Sequence, residues 1–354
     1  MKLGDISVSY VELMVRAVTH LGADPRPILQ QFQLDATRLS SSDARISIPR
    51  FMRLGHAFIQ QTQSPGLGLL MGRLTSPTHL GLAGLLSMSS LTVKDAAKAL
   101  ADYEILSSFN ARGRSSFSLE SGAGVCQFYS VSPYNDYNHF VVDSVLAGWM
   151  TLLYWVSGRD DIIKRVEFEF PAPSYSDQYA QYFSCEVQFA SARNALLLHD
   201  WALPLLSLHR CAATHQALKL LADRERERVR HGLSFAELVA RALSPLLNGH
   251  TPTLDLVAQR MNQAPWTLRR RLNDEGVSFQ QVLNDTRRDL AISYVRETTL
   301  TLGEIAYLLG FGSTTAFQRA FKRWLGLAPG QYRLQYQAQQ KPPAAASYNS
   351  TASS

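Results

Sequence analysis

One apolar pattern occurs twice in the last hundred residues, and this repeat constrains the fold more than any other feature of the chain. In each copy, apolar residues at positions i, i+3, i+4 and i+7 predict a short amphipathic helix, and a second helix follows with apolar residues four positions apart. The copies are 48 residues apart in the first helix and 49 in the second, so the second turn has one extra residue. The first copy uses Leu254, Val257, Ala258, Met261, Leu268 and Leu272, and the second uses Leu302, Ile305, Ala306, Leu309, Phe317 and Phe321.

Residues at the ends of these helices support the same prediction. Pro265 suits the first turn of a helix, and Thr301 with Glu304 three residues later forms a capping-box pattern. Turns are predicted at 262–264 and 310–313, where Gly310 and Gly312 allow conformations that a side chain resists. Each copy is therefore predicted to be a helix-turn-helix unit.

The second helix of each unit leaves one face free of apolar residues, and the side chains on that face suit DNA. Arginine can donate a bidentate pair to guanine, glutamine can pair with adenine, and threonine or tryptophan can contact thymine methyl groups. We predict base reading by Arg269, Arg270, Gln318 and Arg319, contacts to methyl groups or nearby phosphates by Trp266, Thr314 and Thr315, and phosphate neutralisation by Arg271, Lys322 and Arg323, with Thr267 and Asn273 beside them. The alternative is a helical bundle with incidental surface arginines.

Residues 278–297 between the units are predicted to form one helix, with Ser278 and Gln281 as a capping box. Twenty residues span roughly 30 Å, slightly less than the ~34 Å of one DNA turn. Both recognition helices are thus predicted to enter successive major grooves of a promoter duplex, with some bending of the DNA.

The segment 310–333, GFGSTTAFQRAFKRWLGLAPGQYR, resembles the signature of the AraC/XylS transcriptional regulators, and 268–291 resembles the preceding part of that domain. The resemblance implies base-facing positions at Trp266, Arg269, Arg270, Thr315, Gln318 and Arg319. The segments 66–72, 76–106, 168–189 and 203–205 resemble the amino-terminal effector domain of the branch that includes ornithine-utilisation regulators. This resemblance implies a small-molecule effector and a homodimer, and RNA polymerase as a partner if the output is activation.

Residues 1–206 are predicted to form a mixed α/β effector domain. Helical periodicity covers 8–21, 28–32, 48–62 and 92–109, and apolar alternation predicts strands at 117–119, 125–131, 166–170, 186–189 and 195–199. Arg112, Arg114 and His139 could anchor a carboxylate, although a solvated or structural role is favoured for each. The effector-binding residues stay unknown.

The remaining boundaries follow from composition. Residues 207–232 are predicted to be a charged helical connector, whose face is solvated or contributes to dimerisation or DNA contact. Residues 233–336 are predicted to form an all-α DNA-binding domain, and 337–354, rich in Pro, Ala and Ser, are predicted to be disordered.

The formal net charge of +6 permits a polyanion partner without requiring one. Residues 233–340 hold 12 Lys+Arg against 8 Asp+Glu, and most of these basic residues, Arg333 included, lie on or just beyond the recognition helices. Three cysteines without a CxxC motif indicate a reducing compartment, and the start of the chain lacks the pattern of an export signal.

We therefore expect a cytoplasmic, nucleoid-associated protein without membrane spans, metal or cofactor, and a regulator rather than an enzyme. Cys211 and His215, four residues apart, are too few for a metal site. Two alternatives stay open: a nonspecific architectural DNA-binding protein, and an enzyme tethered to DNA.

Overall fold

The computed structural model describes residues 4–41, 44–110, 113–130, 134–231 and 235–340. The amino-terminal part has two sheets. The first is antiparallel, in the order β2-β1-β3, from β1 (Gly4–Ser7), β2 (Arg45–Ser47) and β3 (Ser108–Asn110). The second has the order β4-β5-β8-β6-β7, in which β6 and β7 alone are parallel. Its strands are β4 (Ser116–Glu120), β5 (Ala123–Phe128), β6 (Ile163–Glu167), β7 (Glu186–Gln188) and β8 (Asn194–Leu198).

Helices cover these sheets, which confirms the predicted mixed α/β class. They are α1 (Val8–His20), α2 (Arg26–Gln31), α3 (Ala36–Leu39), α4 (Ile48–Thr62), α5 (Leu67–Arg73), α6 (Gly81–Ser89), α7 (Val93–Asp102), α8 (Glu104–Ser107) and α9 (His139–Ser157).

Helices α5 and α9 pack closely against each other, and this contact explains why the 66–72 segment contains glycines at positions 68 and 72. A Cβ on Gly68 would lie 2.3 Å from the Phe140 carbonyl oxygen, and one on Gly72 would lie 2.3 Å from the Ala147 Cβ. Since a side chain at either position would collide with α9, the glycines let α5 and α9 pack backbone to backbone.

Helix α9 is long and apolar enough to span a membrane by length and composition, and it alone meets that test among the described residues. Its most apolar stretch, residues 145–156, is shorter than the helix itself. Most of α9 is buried inside the domain, where Leu146, Leu153 and Val156 join the main core.

Two local predictions are wrong. Residues 108–110 form β3 rather than the end of a helix, because Phe109 and Ser108 pair with Asp5 and Ile6 of β1. The strand predicted at 166–170 instead covers 163–167, and Phe168 continues as irregular chain whose N–H donates to the Gln188 carbonyl (2.8 Å).

The connector helix α10 (Ala212–His231) begins five residues later than predicted. Residues 207–211 form an irregular segment with a turn rather than a helix, because the Ser207 N–H donates to the Leu91 carbonyl (3.0 Å) and the Leu208 N–H donates to the Val156 carbonyl (2.8 Å). Helix α10 then packs on α6 and α8, with Ala222 buried.

The carboxy-terminal part is helical throughout its described length, as predicted. Its helices are α11 (Phe235–Leu243), α12 (Leu254–Arg260), α13 (Pro265–Asp274), α14 (Phe279–Glu297), α15 (Leu302–Leu308), α16 (Thr314–Leu325) and α17 (Pro329–Gln340). They share one apolar core, separate from that of the amino-terminal domain. Helix α17 extends four residues into the predicted tail, and 341–354 lie outside the described residues.

Candidate nucleic-acid interface

The two repeat copies fold into two helix-turn-helix units. The first unit consists of α12 and α13, separated by residues 261–264, and the second consists of α15 and α16, separated by residues 309–313. The second turn is thus one residue longer, as the spacing of the repeat predicted.

Side-chain caps mark the starts of α12, α14, α15 and α16, whereas α13 begins at Pro265 without one. The Thr253 hydroxyl accepts from the Leu256 N–H (3.2 Å) at the start of α12, and Ser313 accepts from the Ala316 N–H (3.1 Å) at the start of α16. At α15 the predicted capping box forms: the Thr301 N–H donates to the Glu304 carboxylate (2.7 Å), and the Glu304 N–H donates to the Thr301 hydroxyl (3.2 Å). At α14, Ser278 alone caps, accepting from the Gln281 N–H (3.2 Å).

The outward face of α13 carries the predicted side chains. Leu268 and Leu272 are fully buried in the core. At 100° per residue, Trp266 and Arg270 lie on the opposite side of the helix, and Arg269 lies on its flank. All three are exposed, with Trp266 at 66%, and the Arg270 guanidinium lies 5.5 Å from the centre of the Trp266 ring. Thr267 is half-buried on the flank of this face, and Asn273 is exposed.

Arg271 differs from its neighbours. Its guanidinium lies 3.9 Å from the centre of the Phe235 ring of α11, so one side of it is already occupied. Beyond the end of α13, the Glu275 carboxylate accepts from the Phe235 N–H (2.6 Å) and the Ala236 N–H (2.9 Å). The first recognition helix therefore caps α11, a contact that sequence analysis missed.

Helix α16 has the same two-sided organisation. Phe317, Ala320 and Phe321 are buried, whereas Thr315 and Arg319 are exposed on the opposite side. Gln318, Lys322 and Arg323 are also exposed, and Thr314 is half-buried at the first position of the helix. The structure thus places the predicted basic and amide side chains of each recognition helix at the surface.

Arg333 does not belong to this surface. Its Nε donates to the Val295 carbonyl (3.0 Å) and its Nη2 donates to the Leu300 carbonyl (2.6 Å), so it holds α17 against the end of α14. Burial lowers the pKa of Arg333. The prediction that counted it among the DNA-side basic residues is corrected accordingly.

In the amino-terminal domain, a carboxyl group lies fully inside the core. Asp143 of α9 accepts from the Tyr179 hydroxyl (2.6 Å) and the Tyr175 hydroxyl (2.9 Å). Desolvation raises the pKa of Asp143 to about 7, against the lowering effect of both hydrogen bonds. This aspartate was not a candidate in the sequence analysis, because nothing in its neighbourhood along the chain marks it as buried.

A second polar cluster links β8 to the segment after β5. The Asn194 amide donates to the Tyr134 hydroxyl (2.6 Å) and to the Glu169 carboxylate (3.0 Å). The His139 ring lies 4.6 Å from that of Phe170, and desolvation lowers the pKa of His139. Of the other weighed anchors, Arg114 is exposed and Arg112 lies outside the described residues.

Within the described part of the chain, no group of three or more His, Cys, Asp or Glu side chains could hold a metal ion. The His215 Nδ1 lies 3.1 Å from the Ser89 hydroxyl, and the Cys211 thiol accepts from the Thr214 hydroxyl (3.2 Å).

Comparison with known proteins agrees with this arrangement. Residues 22–205 match the arabinose-binding domain of AraC transcription regulators, and residues 257–335 match a helix-turn-helix domain. The chain is 27% identical to the ornithine utilization regulator of Pseudomonas aeruginosa over 333 residues, covering 93% of this chain and 96% of that protein.

Two further known proteins are similar to this chain, one over a quarter of its length and one over most of it. The urease operon transcriptional activator of Escherichia coli is 42% identical over 89 residues, which are 25% of this chain and 30% of that protein. The crystal structure of the transcriptional regulator CdpR from Pseudomonas aeruginosa aligns with 88% of this chain and 96% of its own, at 23% identity and a TM-score of 0.44.

The arabinose-binding domain match spans more than half of the chain, and the helix-turn-helix match covers the second unit and all but the first three residues of the first. The chain therefore belongs to the AraC family of sequence-specific DNA-binding transcriptional regulators, with an amino-terminal effector-binding domain.

Proposed function

We propose that α13 and α16 read two successive major grooves of one promoter duplex. The observation that carries this proposal is the pair of exposed polar faces on the two recognition helices, joined by the single helix α14. Its 19 residues span about 28 Å at 1.5 Å per residue, which is somewhat less than the ~34 Å of a DNA turn. The difference favours a duplex bent toward the protein.

The exposed side chains of α13 and α16 have three different roles in DNA binding. Arg269, Arg270, Gln318 and Arg319 read bases, because they are exposed and can form paired hydrogen bonds with a base edge. Trp266, Thr267, Thr314 and Thr315 contact methyl groups or adjacent phosphates. Arg271, Lys322 and Arg323 neutralise phosphates, and the ring of Phe235 fixes the direction of Arg271.

A comparison of Arg319→Ala with Lys322→Ala tests these roles. The wild-type chain first selects its duplex from a randomised library, and each single-base variant of that duplex is then titrated with each protein. We expect Arg319→Ala to relax the preference at one or two base pairs. We expect Lys322→Ala to weaken all duplexes alike and to reduce the dependence of log K on log salt by about one unit.

The outcome separates three possibilities. Identical profiles for both variants would contradict the division into base-reading and phosphate-binding residues. If the wild-type chain selected no sequence and bound random DNA equally well at physiological salt, the alternative of an architectural DNA-binding protein would replace the proposal.

Regulation by a small molecule requires a connection between the domains. Helix α14, which joins the two helix-turn-helix units, lies against α4 of the effector domain. We propose that effector binding changes this contact and thereby the population of the chain that can engage DNA. Binding of the selected duplex, titrated with and without candidate metabolites, tests the coupling, and an affinity that no binding metabolite changes would count against it.

The proposal includes a homodimer in the cytoplasm, associated with the nucleoid, and RNA polymerase as a partner where the output is activation. Helix α10 supports the dimer, because Leu220 is 56% exposed and Leu221 is 47% exposed on its outer side. Native mass spectrometry of the wild-type chain and of Leu220→Glu tests it. A dimer that Leu220→Glu leaves intact would place the interface elsewhere.

A further inference from the structure

Arg287, in the middle of α14, is a buried cation that donates hydrogen bonds to the second unit and to the segment that enters the first. Its Nε donates to the Leu309 carbonyl (2.8 Å) and its Nη2 donates to the Gly310 carbonyl (2.6 Å), at the turn between α15 and α16. The same Nη2 donates to the Thr251 hydroxyl (2.8 Å), two residues before the cap of α12. One side chain therefore connects the linker helix, the turn of the second unit and the entry to the first.

The segment before α12 also contacts that turn directly. The Gly249 N–H donates to the Tyr307 carbonyl (2.9 Å), and the Thr251 hydroxyl donates to the Gly310 carbonyl (3.3 Å). Gly310 has φ +66°, and a Cβ there would lie 2.1 Å from the His250 carbonyl oxygen. The two units are thus in close backbone contact at the point where Arg287 inserts.

These partners of Arg287 are neutral. The Leu309 and Gly310 carbonyls lie at the carboxy-terminal end of α15, where the unpaired carbonyls of a helix attract a cation. The guanidinium also lies 4.7 Å from the centre of the Phe311 ring, which contacts Phe317 of the second recognition helix. Burial lowers the pKa of Arg287, and the residue is 7% exposed, so it cannot reach DNA itself.

We infer that Arg287 is a positioning residue that fixes the distance and rotation between the two recognition helices, and so sets the spacing of DNA sub-sites that the chain accepts. The inference rests on the proposed reading of two successive grooves. One inserted base pair moves the second sub-site by about 3.4 Å and rotates it by about 35°. A rigid pair of recognition helices cannot follow that change without losing the contacts of one helix.

Arg333 provides a matched control. It is also a partly buried arginine that donates to two backbone carbonyls, but both of these belong to the segment from Val295 to Leu300. Arg333 therefore stabilises α17 and the end of α14 without contacting the entry to the first unit. Arg287→Met and Arg333→Met each remove one such guanidinium.

The experiment measures spacing preference with the full-length chain. The probes are the duplex selected by the wild-type chain, with its two sub-sites located by single-base scanning, and the same duplex with one base pair inserted or deleted between the sub-sites. We expect the affinity ratio between the original and altered duplexes to fall about tenfold in Arg287→Met, because the loosened units adapt to either spacing. We expect Arg333→Met to keep the wild-type ratio, whatever its overall affinity.

A wild-type ratio retained by a folded Arg287→Met would overturn the inference, and so would an equal fall in both variants. If Arg287→Met does not fold, as judged by circular dichroism, Thr251→Val decides, since it removes one partner and leaves the arginine in place. A fall of the ratio in Thr251→Val supports the inference, and an unchanged ratio refutes it. A wild-type chain without spacing or sequence preference would instead refute the proposed function.

Discussion

The buried carboxyl group of Asp143 makes the stability of the effector domain depend on pH in a direction that can be derived from the structure. In the folded chain the pKa of Asp143 is about 7, against an ordinary value of 3.8. At a pH between these two pKa values, the Asp143 carboxyl group is ionised in the unfolded chain and protonated in the folded chain. The free energy of unfolding therefore falls as the pH rises from about 4 to about 7, and this contribution is constant above pH 7.

The size of the effect follows from the difference of about three pKa units. At 1.36 kcal/mol per unit, Asp143 lowers the free energy of unfolding by roughly 4 kcal/mol between pH 4 and pH 7. The Asp143 side chain is completely buried, so solvent does not reduce the cost of ionising its carboxyl group. Burial also raises the pKa of Glu104 to about 7, so a slope of the same sign persists after Asp143 is replaced.

Urea unfolding of wild type and Asp143→Asn, followed by fluorescence at several pH values from 4.5 to 8, isolates this contribution. The asparagine keeps a polar group between the Tyr175 and Tyr179 hydroxyls but cannot ionise. The difference in free energy of unfolding, variant minus wild type, should increase with pH up to about 7. A difference that stays constant over this range would refute the assignment of a raised pKa to Asp143.

Two further predictions concern the DNA-binding domain. Leu268→Ala, which empties part of the core, should cost about 2 to 5 kcal/mol of unfolding free energy, whereas Trp266→Ala, at the exposed surface, should leave the melting temperature near that of wild type and weaken binding to the selected duplex. Equal melting temperatures for both variants would contradict the assigned faces of α13. Thr301→Ala removes the capping hydroxyl of α15 and should cost about 1 kcal/mol in urea unfolding, and an unchanged urea midpoint would show that the cap contributes nothing.

Sequence predicted the DNA-binding domain well because its signals are local. Apolar residues three and four positions apart define one face of a helix wherever the chain goes next, and caps such as Thr301 with Glu304 act within one turn. The boundaries of α4 and the longer second turn were predicted for the same reason.

Features set by distant parts of the chain were missed. Strands β1, β2 and β3 are three or four residues long and exist because they pair with each other across the domain. Residues 207–211 have charged and apolar residues compatible with a helix, yet hydrogen bonds to Ser89, Leu91 and Val156 hold them in a non-helical conformation. No window of the local sequence contains those partners.

The arginines of the DNA-binding domain show that residue type alone does not predict whether a side chain is exposed or holds the fold together. Arg269 and Arg319 are exposed, whereas Arg287 and Arg333 donate to carbonyls at helix ends. All four lie in or near the same two repeat units and carry the same charge. Position relative to the buried face of the helix separates them: Arg287 lies between the buried Leu283 and Leu290, whereas Arg319 lies opposite Phe317 and Phe321. A count of basic residues therefore overstates the basic surface of the domain, since the helical phase of an arginine decides whether its guanidinium is exposed or donates to the protein's own backbone.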